Sequence, residues 1–266
     1  IFLKMNRCIN CFVTNKLPGS VFNEDGLCSA CLYKQKKNKK IDWNNRLVSL
    51  KKICKKYRCK KKRNYDCIVP VSGGKDSTRQ AFYVRDKLKM NPLLVSCAYP
   101  PEQQTDIGAY NIENLVRHGF DVHYISPSPK TWKKMMKYCF FKFGNIFKSC
   151  ELALFATAPI VAIRENIKLI FYGENASLQW GGDNQVSKNG NANNLKNNNT
   201  LSGGDISHYV KEGFNKNKLF WYDYPDKKSF NFSNLKMIFL GYYIPDFNDK
   251  QNSKFSIKRG LKVREG

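Results

Sequence analysis

The sequence predicts an α/β protein, an open and mostly parallel sheet with helices on both faces, carrying a small cysteine-rich module at its N-terminus. Three observations lead there. From Cys67 onward, short apolar runs alternate with helix-length amphipathic segments, and strands spaced in this way imply right-handed βαβ crossovers. Val69-Pro70-Val71 runs into Ser72-Gly73-Gly74, and a helical pattern starts at once. Two Cys-x2-Cys pairs, Cys8/Cys11 and Cys28/Cys31, stand apart from that alternation.

Taken in order, residues 1 to 33 are turn-rich, with turns at Asn10, Pro18, Gly19 and Gly26, and hold both cysteine pairs. Lys34 to Lys40 reads as a basic linker, so the chain divides into a module over 1–40 and an α/β domain over 41–266. From Ile41 to Tyr57 the residues Trp43, Leu47, Leu50, Ile53 and Tyr57 recur at three- and four-residue steps. This is an amphipathic helix, with Lys51, Lys52, Lys55 and Lys56 on its wet side. A second basic cluster, Lys60 to Arg63, precedes the core. Strands are predicted over Cys67–Val71, Leu93–Tyr99, Asp121–Ile125, Lys168–Tyr172 and Lys236–Tyr243. Helices are predicted over Asp76–Leu88, Asp106–Arg117, Trp132–Phe143 and Glu151–Glu165. The Asn-rich run Asn189 to Asn199 is expected to be a mobile surface loop that buries nothing. No closing helix is expected before Gly266, and the chain is expected to be incomplete at that end. It opens on Ile1 instead of Met, which implies that a few residues precede it.

With 42% hydrophobic residues the chain can bury a core, which excludes disorder throughout. The longest apolar run, Leu152 to Ile163, contains Pro159 and is too short to span a bilayer. No secretory leader is visible. Six of the ten cysteines are scattered without a pairing pattern, which argues for a reducing cytoplasm and one metal site. The net charge of +25 suggests a polyanionic partner such as a nucleic acid; the alternative is an AT-rich genome that favours Lys, Asn and Ile codons.

The segment Ser72-Gly73-Gly74-Lys75-Asp76-Ser77 carries the strongest chemical signal. Two glycines allow a sharp turn and a close backbone approach, and the helix that follows offers unpaired N–H groups and the positive end of its dipole. Together they form a nest for phosphates. The spacing is not that of a Walker A loop; it matches the SGGxDS loop of the PP-loop ATP pyrophosphatases. Ser72 and Ser77 can bond phosphate oxygens and Lys75 can neutralise a departing pyrophosphate. Asp76 can either cap the helix or hold Mg²⁺ through water. The four cysteines suit tetrahedral thiolate coordination of a structural Zn²⁺. Gly173, Glu174 and Asn175 end a strand and should face the same crevice as the phosphate loop, with Gly181, Gly182 and Asp183 as a further flexible wall. His118, His123 and His208 read as structural or surface residues.

The cysteine pairs, the IDW of residues 41–43, YDCIVPVSGGKDST over 65–78, NIENLVRHGFD over 111–121, ELALFA over 151–156 and FYGENASLQWGG over 171–182 together resemble the N-acetyl sugar amidotransferases of the PP-loop superfamily. The resemblance runs from Cys8 to about Asp246. It implies a cytoplasmic enzyme of lipopolysaccharide O-antigen or flagellar-glycan synthesis. ATP would adenylate the oxygen of a sugar N-acetyl group and ammonia would displace AMP to give an acetamidino sugar. It also implies a nucleotide- or lipid-linked N-acetylated sugar as substrate, a separate glutaminase as ammonia source, and a cyclase-like subunit beside it. Carried onto this chain, Ser72 to Ser77 bind ATP, Lys75, Asp76 and Glu174 serve catalysis, Gly173, Glu174 and Asn175 bind substrate, and Cys8, Cys11, Cys28 and Cys31 hold zinc. A tRNA-modifying PP-loop enzyme, a thiolase or lysidine-type synthetase, is the alternative, and a catalytically inactive nucleotide-binding subunit is a third.

Overall fold

A computed structural model describes residues 5–17, 19–39, 41–59, 65–179, 189–198, 201 and 203–264. The basic cluster Lys60 to Arg63, Trp180-Gly181-Gly182 and Asp183 lie outside them.

Five strands form one parallel sheet: β1 (Cys67–Pro70), β2 (Pro92–Cys97), β3 (Val122–Ile125), β4 (Leu169–Tyr172) and β5 (Lys236–Phe239), in the spatial order β3-β2-β1-β4-β5. The crossovers are α3 (Lys75–Phe82, continued as a π-helical turn to Lys87), α4 (Asp106–Arg117), α5 (Pro129–Phe143) and α6 (Lys148–Arg164). α1 (Ser29–Lys39) and α2 (Trp43–Tyr57) precede the sheet; α7 (Ala176–Gln179), α8 (Ser207–Lys211), α9 (Lys227–Ser233) and α10 (Asp249–Ile257) follow β4. Successive side chains of a strand point to opposite faces, and both faces of β1, β2, β4 and β5 are covered. Val69, Leu94, Phe171 and Ile238 pack with α2 and α3, while Ile68, Leu93, Ile170 and Met237 pack with α6. That is why β1, β4 and most of β2 and β5 read as continuous apolar runs instead of alternating, while β3, at the sheet edge, keeps His123 and Tyr124 exposed.

Chain direction in the sheet reverses at one place. β1 leads outward to β2 and β3, and the chain then returns to β4 on the other side of β1. Ligands of open α/β sheets bind outside the carboxyl ends of the strands at such a switch point. The segments emerging there are Ser72–Ser77 after β1 and Gly173–Asn175 after β4.

Four expectations are corrected. Over its described part, Lys34 to Lys39, the expected linker is helix: α1 runs through Lys39 and packs against α7, because lysines are good helix formers and the cysteine knuckle anchors the first turn; Lys40 lies outside the described residues. β5 stops at Phe239 and the chain turns into a 3₁₀ segment over Leu240–Tyr242, with the Gly241 amide bonded to the Gly173 carbonyl at 2.8 Å. The Asn-rich segment is not a free loop over its described part. Ala192 and Leu195 are buried, the Asn193 carboxamide accepts from the Met237 amide at 2.8 Å, and it donates to the Leu235 carbonyl at 3.2 Å. An asparagine side chain presents the same donor and acceptor as a peptide unit, so Asn193 covers part of the β5 edge. Lastly, a closing helix does exist. α10 is capped by Asn248, whose side chain accepts from the Gln251 amide at 3.1 Å, and packs on α3.

Candidate functional site

The loop between β1 and α3 is built from its own backbone. Gly73 has φ of +75°, and a Cβ there would sit 3.3 Å from Asn111 and Ile112 of α4. Gly74 has an ordinary φ of −84°, and its Cβ would meet Ser72 Oγ at 3.4 Å, an ordinary contact. Gly73 is therefore required by the fold, whereas Gly74 is free to be chosen for what approaches it. The Ser77 hydroxyl donates to the Gly74 carbonyl at 3.1 Å and accepts from the Ser72 amide at 3.3 Å; Ser72 Oγ accepts from the Gly74 amide at 3.4 Å. Both hydroxyls thus brace the turn.

The capping alternative for Asp76 is not what the structure shows. Its Oδ1 accepts from Asn252 Nδ2 at 2.7 Å and its Oδ2 pairs with Lys75 Nζ at 2.7 Å, while the N-cap position, Gly74, carries no side chain. Lys75 also pairs with Asp249 at 3.1 Å. Its hydrogen bond to Asp76 and that to Asp249 outweigh partial burial and hold its pKa above the ordinary value. α10 supplies three of these fixings: Asp249, Asn252, and Ser256, whose hydroxyl donates to the Lys75 carbonyl at 2.7 Å. One turn on, Arg79 is 9% exposed and pairs with Asp246 at 2.6 Å.

Gly173, Glu174 and Asn175 face that arrangement. A Cβ on Gly173 would lie 3.0 Å from Gln80 Oε1, and Gln80 itself donates to the Phe171 carbonyl, so β4 and α3 are tied together at the crevice. Burial raises the Glu174 pKa, the nearby Asp76 carboxylate raises it further, and Lys75 opposes both. Asn175 is buried and its Nδ2 donates to the Asn189 carbonyl at 3.0 Å. Lys75, Asp76, Glu174 and Asn175 line one cleft of about 980 Å³; Ser72, Gly73, Gly74, Ser77 and Gly173 are not among its lining residues.

The cysteine module forms the opposite wall, through Cys11, Phe12, Cys31, Tyr33, Lys34 and Lys37. The four cysteine sulfurs lie within 4.8 Å of one another, and Cys8, Cys28 and Cys31 are buried. With a metal–sulfur distance of about 2.3 Å, tetrahedral thiolates sit about 3.8 Å apart, so a single ion fits this donor set, and zinc or iron suits it chemically. N–H groups already point at two of the sulfurs: the Cys28 amide at Cys8 Sγ, 3.3 Å, and Asn10 Nδ2 at Cys31 Sγ, 3.1 Å. Burial opposes ionisation of Cys8, but backbone N–H groups led by that of Cys28 overcome it and lower the pKa to about 6, while burial pushes the Cys28 and Cys31 thiols up. Each sulfur is a free cysteine, with no disulfide between them.

The histidines fall where the sequence placed them. His118 Nε2 meets the Arg259 carbonyl at 3.0 Å, His208 Nε2 meets the Tyr138 hydroxyl at 2.7 Å, and His123 lies in β3; none lines the cleft. Sequence reasoning missed Asp246, Asp249 and Asn252. It also missed Lys34 and Lys37, hidden within what read as a charge run. Among the described residues no helix is long and apolar enough to cross a membrane.

No protein-family model matches the chain, and no curated protein matches it. Solved structures that match include a predicted subunit of tRNA methyltransferase from Methanocaldococcus jannaschii, at 14% identity over 72% of this chain and 73% of that one, with a TM-score of 0.36. NMN synthetase from Francisella tularensis matches at 14% identity over 54% of this chain and 55% of that one, TM-score 0.35. The tRNA thiolase NcsA from Methanococcus maripaludis, solved with its 4Fe-4S cluster, matches at 14% identity over 99% of this chain and 75% of that one, TM-score 0.40. These likenesses are distant.

Proposed function

We propose that this protein is an ATP-dependent, AMP- and pyrophosphate-forming enzyme that adenylates an acceptor oxygen and lets a nitrogen nucleophile displace it, with a sugar N-acetyl group as acceptor and ammonia as nucleophile. The observation that carries the proposal is the convergence of the Ser72–Ser77 loop and Glu174 at the switch point of the sheet. The acetamido sugar and ammonia rest on the family resemblance of the motifs.

In this reading the loop amides and the first turn of α3 grip the β- and γ-phosphates. The acceptor oxygen attacks the α-phosphorus and pyrophosphate leaves. Lys75, kept cationic by Asp76 and Asp249, faces the charge that collects on the leaving group, an interaction that strengthens towards the transition state. When ammonia attacks the activated carbon, the nitrogen must shed a proton as AMP departs. Glu174, whose pKa burial raises, would be the base that takes it. Mg²⁺ would neutralise phosphate charge; both Asp76 oxygens are engaged by protein donors, so the 92%-exposed Asp249 is the carboxylate more open to it. Zinc is the proposed occupant of Cys8, Cys11, Cys28 and Cys31, where it holds the module's fold. Ammonia comes from a separate glutaminase, with or without a cyclase-like subunit, and the setting is the cytoplasm.

The test is turnover of ATP to AMP with a panel of N-acetylated nucleotide sugars and ammonium salts. Glutamine should not replace ammonium with the purified chain alone. A second reading, adenylation of a tRNA base, is favoured by the net charge of +25 and by the four-cysteine module. It requires tRNA to copurify and to be lost steeply as salt rises.

A further inference from the structure

α5 has two faces, and the fold uses one of them. Trp132, Met135 and Cys139, at steps of three and four residues, are buried in a cluster that also holds Cys150, Leu152 and Tyr209. Lys130, Lys133, Lys137, Phe140 and Phe141 follow similar steps on the outer side and are exposed. The lysines come first and the phenylalanines last, so this face changes from cationic to apolar along the helix. The apolar end continues into the turn before α6, where Phe143 and Phe147 are exposed as well; the four phenylalanines range from 42% to 76% exposed. The turn is fixed by its own hydrogen bonds. Gly144, with φ of +63°, donates its amide to the Phe140 carbonyl at 2.9 Å, and Asn145 Oδ1 accepts from the Phe147 amide at 2.9 Å. The Phe140 and Phe141 rings meet edge to face at 5.4 Å, and the Lys148 ammonium lies 5.3 Å from the Phe143 ring. Exposed apolar surface gathered at one corner marks an interaction site.

Charge says what covers this corner. Between Asp121 and Glu151 the sequence has six lysines and no carboxylate side chain. Lys142 pairs with Glu212 at 3.8 Å, but Lys130, Lys133 and Lys137 form no ion pair among the described residues. The partner must therefore offer hydrocarbon to the tip and negative charge behind it. A bilayer with anionic headgroups has that order. Phenylalanines at the end of the helix would enter the acyl boundary, and lysines one to three turns back would reach the phosphates. A single-stranded nucleic acid stacks its bases on ring faces laid open along a groove. Here one ring turns its edge to its neighbour, and none of the four lines the cleft.

We propose that the corner between α5 and α6 docks on the surface of an anionic lipid bilayer, with Phe140, Phe141, Phe143 and Phe147 as its apolar tip and Lys130, Lys133 and Lys137 behind them. The attachment is interfacial, since no helix among the described residues is long and apolar enough to cross. Docking does not depend on the proposed reaction, because none of these residues lines the cleft.

The experiment is co-sedimentation of the full chain with vesicles, one set of phosphatidylglycerol and phosphatidylcholine in equal parts and one of phosphatidylcholine alone. The wild type should partition onto the anionic vesicles and much less onto the neutral ones. Phe140→Ser/Phe141→Ser should weaken partitioning by about 10- to 100-fold, as two aromatic side chains leave the acyl boundary. Lys133→Gln/Lys137→Gln should weaken it by about 10-fold. Lys51→Gln/Lys55→Gln removes the same charge from the exposed side of α2 and should stay within about threefold of wild type, because charges more than a Debye length from the bilayer are screened. Should the Phe pair fail to fold, Phe141→Ser alone, at the most exposed of the four positions, gives the same reading with a smaller loss. No partitioning of the wild type onto anionic vesicles overturns the proposal, as does a Phe pair that partitions like wild type. Equal losses in the α2 and α5 lysine pairs would assign the adsorption to net charge and overturn it too. If the Phe pair loses single-stranded RNA, or turns a dimer into a monomer, while vesicle partitioning is unchanged, the corner serves nucleic acid or a second copy of the chain, and the proposal is wrong.

Discussion

Lys75→Met separates catalysis from stability more sharply than any other single change. The ammonium sits 2.7 Å from Asp76 and 3.1 Å from Asp249, with exposures of 34%, 29% and 92% for the three side chains. Ion pairs this open to solvent contribute about 0–1 kcal/mol each. Methionine keeps the stem, so total stability should fall by roughly 1 kcal/mol, or ~2–4 °C in Tm for a chain of this size. The same ammonium facing a departing pyrophosphate is of another order: loss of one preorganised electrostatic contact costs about 10²–10³ in kcat, about 2.7–4 kcal/mol. A secondary effect is directional. Lys75 holds the Glu174 pKa down against burial and Asp76, so its removal should move the rising limb of the pH–rate profile to higher pH. AMP formation followed by chromatography, pH–rate profiles and thermal melts provide the readings. A kcat within a factor of about three of wild type would show that Lys75 does not face the leaving group. A drop in Tm beyond about 10 °C would attribute the rate loss to unfolding.

Glu174→Gln tests the buried carboxyl through stability. Burial makes the folded chain hold that proton more tightly than the unfolded chain. This contribution favours folding below the ordinary value of 4.5 and is lost as pH rises through the raised folded value. The variant should therefore melt higher than wild type near pH 7, the gap closing at low pH, while turnover is lost; equal melting at every pH would contradict the burial argument. Gly73→Ala should lower stability by about 1–3 kcal/mol from its positive φ and the 3.3 Å contact with α4, whereas Gly74→Val should fold and fail to bind ATP; denaturant melts and nucleotide titration distinguish the two. Metal analysis should find about one zinc per chain, and Cys28→Ser should lower both metal content and Tm; an iron–sulfur absorption spectrum or no metal would contradict the zinc assignment.

The sheet was legible because its central strands are nearly continuous apolar runs and its crossovers end in turn residues. β1, α4 and β4 fall within a residue or two of expectation. What the sequence hid was of two kinds. α1 was disguised by its lysines: a charge run and a solvated helix face look alike until a packing partner, here α7, is known. α10 was announced and overlooked. Asn248 followed by Gln251 is a helix-start signature, and Gly260, with φ of +86°, is the corresponding stop. The pairing of Asp249 and Asn252 with a loop more than 170 residues earlier is a tertiary fact that no local pattern encodes. The same holds for Asn193, which covers a strand edge 40 residues away. Composition marked its segment as unable to bury anything, yet an amide side chain can stand in for backbone at a sheet edge.

The central claim is that this fold spends ATP at the α–β bond. Phosphorus NMR of a reaction containing ATP, Mg²⁺, ammonium and N-acetylated UDP-sugars reads this directly. The account predicts AMP and pyrophosphate in equal amounts, abolished by Lys75→Met; ADP and inorganic phosphate as products would contradict it.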